Sequence, residues 1–340
     1  MVTNVRTTRI KMDERHLIEQ KESQGRGLGI FATVYIPCGT RIASEPALLK
    51  VSRDTTTDAK DIVRAFESLS SSQKKSYLEL HDYACDLFKR AAEREMDQDW
   101  DKIPELHRKV LGVWAANAFG SVFLLGSRIN YSCTPNANFA YNPALEKETY
   151  HAVRDIEAGE EVTIMYINGT NRTRRQRQDE LENWGFHCGC SACEDTPQGR
   201  KKEKKRVELF KLDQELAKHT RFDIRFGTEE SWRKALKAAQ RIAALQKSEG
   251  LLNRQLGISY HDAARYSARL GDANMALLWA VKELEVDGYC IGADHPDYLM
   301  GLDTVNQLRE AAKSLEPFDQ STIKWFDSYD NPPSEPCAAM

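Results

Sequence analysis

The sequence predicts an α+β protein, a β-rich first half interrupted by helices and then an all-helical second half, and three observations carry that reading. Residues 25 to 51, "GRGLGIFATVYIPCGTRIASEPALLKV", and residues 122 to 167, ending in "EEVTIMYI", alternate apolar and polar positions and are broken by Gly and Pro, as short half-buried strands are. Between them, residues 58 to 116 carry apolar side chains at helical spacing. Beyond "RKKEKKR", residues 200 to 206, the composition shifts and the patterns become helical. A chain of 340 residues is long for one core, so two domains are expected, with the boundary at that basic run.

Taken in order, residues 1 to 20 read as an N-terminal arm and 21 to 167 as the β-rich domain. The Pro37-Cys38-Gly39 turn reads as the tip of a hairpin. A second hairpin echoes it: Ile36-Pro-Cys-Gly39-Thr-Arg-Ile42 lines up with Ile156-Glu-Ala-Gly159-Glu-Glu-Val162. In the insert, "DIVRAFESL", "SYLELHDYACDLFKRAAERE" and "IPELHRKVLGVWAANAF" are helical, with breaks at Ser70 to Ser72 and at 97 to 104. Helices are then predicted at about 204 to 219, 228 to 248, 252 to 270, 273 to 287 and 297 to 314, inside a helical domain over 203 to 326. "YSARLGDANMALLWAVKELEVDGYCIGADHPDYLMGL" has the cadence of a tetratricopeptide-like (TPR-like) repeat, an irregular helical bundle being the alternative. The polar, proline-rich tail over 327 to 340 predicts disorder.

Formal charge is -3, which argues against generic attraction to phosphate backbones, so no direct specific nucleic-acid binding is expected. The longest apolar run, "VFLL" at 122 to 125, is far too short for a transmembrane segment, and no apolar leader core opens the chain. An intracellular protein is expected, in nucleus or cytoplasm, and the sequons at Asn168 and Asn171 then carry no meaning. Two basic strips, "RKKEKKR" and "NRTRRQRQ" at 171 to 178, read as solvated helix starts, the first with nuclear import as its alternative. The ending Cys337-Ala-Ala-Met340 fits the prenylation pattern but lacks a polybasic stretch upstream.

The densest chemical signal is "FHCGCSACE", which sets Cys188, Cys190 and Cys193 within six positions of a chain with eight cysteines. In a reducing compartment such clustering points to metal or catalysis rather than disulfides. A structural zinc takes four tetrahedral ligands, so one more is required. Cys38, Cys85, Cys133, Cys290, Cys337 and His187 are the candidates. His187 is poorly placed beside Cys188. Cys133 is the choice on context, because "RINYSCTPNANF" surrounds it with turn residues and polar side chains.

"GRGLG", "RINYSCTPN", "RDIEAGEEVTIMY" and "GFHCGCSAC" together resemble, in that order, the SET-domain protein lysine methyltransferases with a cysteine-rich post-SET segment. Residues 25 to 194 carry the likeness, particularly to fungal SET proteins related to the SMYD group. The insert holds only Cys85, His81 and His107, so the MYND finger of that group is missing. The resemblance implies a SET domain over 21 to 167, a zinc-bound post-SET segment over 168 to 196, and Cys133 joining Cys188, Cys190 and Cys193 on one Zn2+. It implies S-adenosyl-L-methionine as cofactor and a lysine of a protein or peptide, a histone tail included, as substrate, for a monomeric enzyme. Tyr166 matches the catalytic tyrosine and Phe119 a wall of the lysine channel. Arg26, Gly27 and Leu28, whose glycines would let backbone approach the cofactor, with Asn117, Asn130, Tyr131, Tyr166 and Phe186, match the cofactor contacts, Phe186 stacking on adenine. Where the family has Asn-His-Ser-Cys this chain has Tyr131, a departure that bears on activity more than on fold. A catalytically silent peptide-binding scaffold is the rival from another class, and methylation of a small amine a third reading.

Overall fold

The computed structural model describes residues 15–51, 58–220 and 227–313. The first fourteen residues of the arm, residues 314–326, the tail from 327 and its Cys337-Ala-Ala-Met340 ending lie outside the described residues. Strands β1 (Ile18–Ser23) and β2 (Gly27–Ala32) form an antiparallel hairpin. Gly25 and Gly27 at its turn have φ of +72° and +71°, and a Cβ added at either would meet nothing within 4 Å. These glycines let the backbone take up its left-handed conformation at a tight turn.

Strands β3 (Arg41–Glu45), β4 (Leu49–Lys50), β5 (Ser121–Val122), β6 (Asn130–Tyr131), β7 (Ala137–Asn142), β8 (Lys147–Ala152) and β9 (Glu161–Ile164) complete three small sheets. Their orders are β1-β2-β9-β6, β3-β8-β7 and β4-β5. This arrangement corrects the two predicted hairpins. The strands flanking each Gly turn do not pair with each other: β2 pairs with β9, and β3 with β8. Each echoing segment instead carries the chain from one sheet to the other, and the two segments pair together. Ile36 and Ile156 exchange both backbone hydrogen bonds at 2.9 Å. The Gly39 amide donates to the Ala152 carbonyl and the Gly159 amide to the Ala32 carbonyl, both at 2.7 Å, and both glycines have φ of +82°. The sequence echo is thus a local two-fold. Turn residues specify where a chain reverses but not which distant strand it meets. Ile30, Ile36, Ile42, Ile129, Ile156, Val162 and Ile164 fill the core between the sheets.

The insert folds as α1 (Ala59–Glu67), α2 (Ser71–Leu78), α3 (Asp86–Met96) and α4 (Glu105–Asn117), packed with the β4–β5 ribbon around Phe66, Tyr77, Leu111 and Trp114. Ser70 and Gln73 make a capping box at the start of α2, which is why the serine run breaks the helical pattern there. After β9 come α5 (Arg174–Leu181) and the helices α6 (Pro197–Thr220), α7 (Glu229–Ser248), α8 (Arg254–Arg269), α9 (Ala273–Cys290) and α10 (Pro296–Lys313). The last five pack on one another in chain order. Small side chains, Ala264, Ala268, Ala276 and Ala280, share one of their cores. The basic run 200–206 lies inside α6, which begins at Pro197.

Polar contacts to backbone dock this helical half on β7, and α9 packs on β8 as well. The Asn138 amide donates to the Cys290 carbonyl at 3.2 Å, and His295 Nε2 to the Tyr141 carbonyl at 3.1 Å. Arg41 on β3 pairs with Asp294 and donates through Nε to His151 Nε2 at 3.1 Å. Burial, assisted by the Arg41 charge, pushes the His151 imidazole down to about 3, so it is the neutral acceptor that contact needs. Val153 closes the seam against Val286, Cys290 and Ile291.

The β3–β8 pair also buries two carboxyl groups in register, Glu45 opposite Glu148. Glu45 accepts from the Leu125 and Gly126 amides and from the Tyr150 hydroxyl at 2.8 to 2.9 Å. Glu148 is pushed up to about 8, by burial first and then by the Glu45 charge. Between pH 4.5 and 8 the unfolded chain has released a proton that the native state keeps, so this group's stabilising contribution is complete at low pH and drains away as pH rises. Glu148→Gln is therefore expected to be more stable than the parent by an increment that grows at up to about 1.4 kcal/mol per pH unit across that window and then levels. Denaturant melts at pH 5, 6.5 and 8 check this; an increment flat with pH would mean Glu148 ionises as an ordinary surface carboxyl does.

Candidate functional site: a four-sulfur cluster behind an aromatic cage

Thr173 and Gln176 form a capping box that starts α5, and Gly185, at φ of +76°, turns the chain after it into the cysteine segment. Gln178 grips that segment, donating to the Cys188 carbonyl at 2.8 Å and accepting from its amide at 3.0 Å. Cys133, just beyond β6, meets it from the other side. The sulfurs of Cys133, Cys188, Cys190 and Cys193 all lie within 4.8 Å of one another. Cys133 Sγ is 3.8 Å from Cys188 Sγ and 3.5 Å from Cys193 Sγ, and all four are free thiols. A tetrahedral zinc with Zn–S of about 2.3 Å needs sulfur–sulfur edges of about 3.8 Å. The donor set and its size fit such an ion. Of the other candidate ligands, Cys38 is exposed, Cys85 is at the α3 N-cap, Cys290 is buried in the docking seam, and His187 is exposed outside the cluster. Cys337 lies outside the described residues.

The cage adjoins the sulfurs. Tyr166 follows β9, and its hydroxyl donates to the Ile129 carbonyl at 2.6 Å. Its ring lies 5.6 Å from Phe119, 5.4 Å from Tyr131, and 6.3 Å from both Trp184 and Phe186, centroid to centroid. Phe139 of β7 extends the wall, 5.0 Å from Phe119. Burial raises the Tyr166 hydroxyl above its ordinary pKa, so it stays protonated at neutral pH. Tyr131 links the two features. Its hydroxyl touches Cys133 Sγ at 3.3 Å, and its ring meets Tyr166 edge-on and lies 5.8 Å from Phe186.

Beside the cage, the Asn130 amide donates to the Leu28 carbonyl at 3.2 Å and to Glu161 at 2.7 Å, and Arg26 pairs with Glu161 while its side chain stays 48% exposed. Gly29 is where close approach matters, because a Cβ there would lie 2.4 Å from Glu161 Oε1 and 3.0 Å from Asn130 Nδ2. Asn117 ends α4 with its Nδ2 donating to the His81 and Val113 carbonyls at 2.8 and 2.7 Å, and with Phe119 and Phe139 it lines a small cavity. The Leu28 carbonyl, Asn130 amide, Glu161 carboxylate and partly exposed Arg26 guanidinium thus form one polar cluster beside the cage.

Phe139, Trp184, Glu161 and two buried arginines also belong to this region, and the sequence reading did not select them. For Phe139 a signal existed: it closes the same "RINYSCTPNANF" stretch that drew attention to Cys133. The strip at 171 to 178 is not wholly exposed, since Arg177 has no exposed surface and points at the sulfurs.

A family model for the SET domain matches residues 27–167, and a curated relative aligns along most of this chain. The chain belongs to the SET-domain family. That relative is the protein named histone-lysine N-methyltransferase set5 of Schizosaccharomyces pombe, 30% identical over 282 residues that span 81% of this chain and 79% of that protein. The histone-lysine N-methyltransferase SET5 of Scheffersomyces stipitis is 43% identical over 89 residues, 25% of this chain and 18% of that one. A mimivirus putative SET domain-containing protein is 25% identical over 193 residues, covering 49% of this chain and 74% of that one.

Proposed function

We propose that this protein is an S-adenosyl-L-methionine-dependent protein-lysine N-methyltransferase acting on a histone or another protein, with a nuclear site of action. The observation that carries the reading is the cage: Tyr166, its hydroxyl fixed on the Ile129 carbonyl, stands among Phe119, Tyr131, Trp184 and Phe186. S-adenosyl-L-methionine, when bound, supplies an electrophilic methyl group. Arg26, Gly27, Leu28, Asn117, Asn130, Tyr131, Tyr166 and Phe186 are the residues that would hold it, with Phe186 stacking on its adenine.

The chain's own task is to deliver a neutral amine in line. A free lysine has a pKa of about 10.4, and holding it neutral at pH 7 corresponds to about 4.6 kcal/mol. An apolar aromatic channel walled by Phe119 opposes the charged ammonium by desolvation. The fixed oxygens of Tyr166 and Ile129 then orient the reacting groups, positioning being the main source of rate for a displacement that needs no further acid or base. Cys133, Cys188, Cys190 and Cys193 would hold Zn2+, which would tie the post-SET segment, and with it Phe186, to the SET core. The helical half, read as TPR-like in sequence, walls the substrate cleft; its docking on β7 and β8 supports that role. The buried Tyr131, with partners for both ring and hydroxyl, favours an accommodated substitution over a silent scaffold.

Incubating the protein with methyl-labelled S-adenosyl-L-methionine and an array of histones and other proteins tests this, with mass spectrometry to locate the label. Label on lysine side chains is the expected result. Cofactor binding with no transfer to any protein, but transfer to free amines, would replace it with the small-amine reading.

A further inference from the structure

The two basic strips at 171 to 178 and 200 to 206 each turn one arginine inward, and both reach the same cysteine. Arg177, from α5, donates through Nε to Cys133 Sγ at 3.1 Å and through Nη2 to Cys193 Sγ at 3.6 Å, with Nη1 fixed on the Arg172 carbonyl at 2.6 Å. Arg206, from α6 and 1% exposed, donates to the Gly169 and Thr170 carbonyls at 3.1 and 2.6 Å and to the Cys133 carbonyl at 2.7 Å. Long cationic side chains are rarely buried without a negative partner. The only carboxylate paired with Arg177 among the described residues, Glu203, stands 4.0 Å away, too far for a hydrogen bond.

We propose that Arg177, backed by Arg206, is the charge partner of the four-sulfur site, a positioning residue that orients Cys133 and Cys193 around a bound dication and ties that site to the helical half. The proposal rests on the zinc reading above. Four thiolates on one dication leave two excess negative charges in a buried place, and the two guanidiniums supply two positive ones. A fork of N–H donors matches two adjacent sulfurs in a way a single ammonium does not. Outer partners of this kind orient metal ligands and tune how tightly the metal is held. Since Arg206 belongs to α6 and grips the loop beside Cys133, the same contacts join the metal site to the fold's second half.

The test uses the full zinc-loaded chain and four proteins: the parent, Arg177→Met, Arg177→Lys, and Arg175→Met as a control on the same helix, where Arg175 is 91% exposed. Zinc content is measured by elemental analysis, and zinc release by the absorbance of a chromophoric chelator in excess. Arg177→Met is expected to release zinc about 10-fold faster or more, the size of effect outer-shell partners produce, with Arg177→Lys intermediate and Arg175→Met unchanged. Release from both Arg177 variants at the parent rate, or equal acceleration in the Arg175 control, overturns the proposal. Should Arg177→Met not fold, Arg177→Lys decides alone, a parent-like rate counting against the fork. A parent protein purified without zinc, and taking up none, would defeat the zinc reading itself, a result separate from any arginine effect.

Discussion

Tyr166→Phe is expected to lower the methyl-transfer rate by about 10²-fold, the scale on which misplaced reacting groups lose rate, while cofactor-analogue affinity changes only a few-fold. The substitution removes one oxygen and keeps the ring, so the packing against Phe119, Tyr131, Trp184 and Phe186 survives. What goes is the hydroxyl held at 2.6 Å on the Ile129 carbonyl, a fixed oxygen pair at the edge of the cage. Stability should fall by about 1 kcal/mol, the typical worth of one hydrogen bond. Initial rates at saturating cofactor, with calorimetric titration of S-adenosylhomocysteine as the binding control, separate rate from affinity. A variant with parent-like turnover would strip the hydroxyl of its role and leave the ring as an ordinary wall of the cage. Phe119→Ala tests the wall itself and should raise KM more than it lowers kcat, because it widens the channel without moving the oxygens.

The contrast between Tyr166 and Arg177 shows what was legible in the sequence. Tyr166, Asn130, Cys133 and the three clustered cysteines are marked by the motifs they stand in, and the fold brings the four sulfurs together beside the Tyr131 and Tyr166 rings. The helices were legible too, since an amphipathic period is written in each segment on its own. Arg177 and Arg206 were not. Each sits in a run of like charges that resembles a solvated face, and its burial depends on a sulfur cluster assembled from segments far apart in the chain. The two Gly turns failed for the same reason: Gly39 and Gly159 announce a reversal, but the choice of β9 over β3 as partner for β2 is a long-range decision. Glu148 reads as a polar strand position, and only the opposing Glu45 and the Gly126 turn show that it is enclosed.

Cys133→Ser is expected to cost more than 3 kcal/mol of stability and to weaken S-adenosylhomocysteine binding by at least 10-fold, because it strikes three things together. It removes one of the four proposed zinc ligands, and a structural zinc contributes its binding energy to folding. It takes the sulfur from beneath the Arg177 Nε, and a buried charge losing its partner costs about 3 to 5 kcal/mol. It also changes the contact of Tyr131, whose ring supports both Tyr166 and Phe186. Gln178→Ala is the informative comparison. Gln178 holds the Cys188 backbone by two hydrogen bonds and touches no sulfur, so its loss should cost about 1 to 2 kcal/mol and leave zinc content intact. If the cysteine segment were held by that clamp rather than by the metal, the order would reverse: Gln178→Ala would abolish cofactor binding, and Cys133→Ser, or zinc removal by a strong chelator, would leave it unchanged. Thermal melts and calorimetry on the two variants and on chelator-treated parent distinguish these outcomes, and the expected order follows from where the constraint lies. The clamp fixes one residue of the segment to α5, whereas the proposed zinc would fix three of its residues to Cys133, beside the Tyr131 ring on which Phe186 packs.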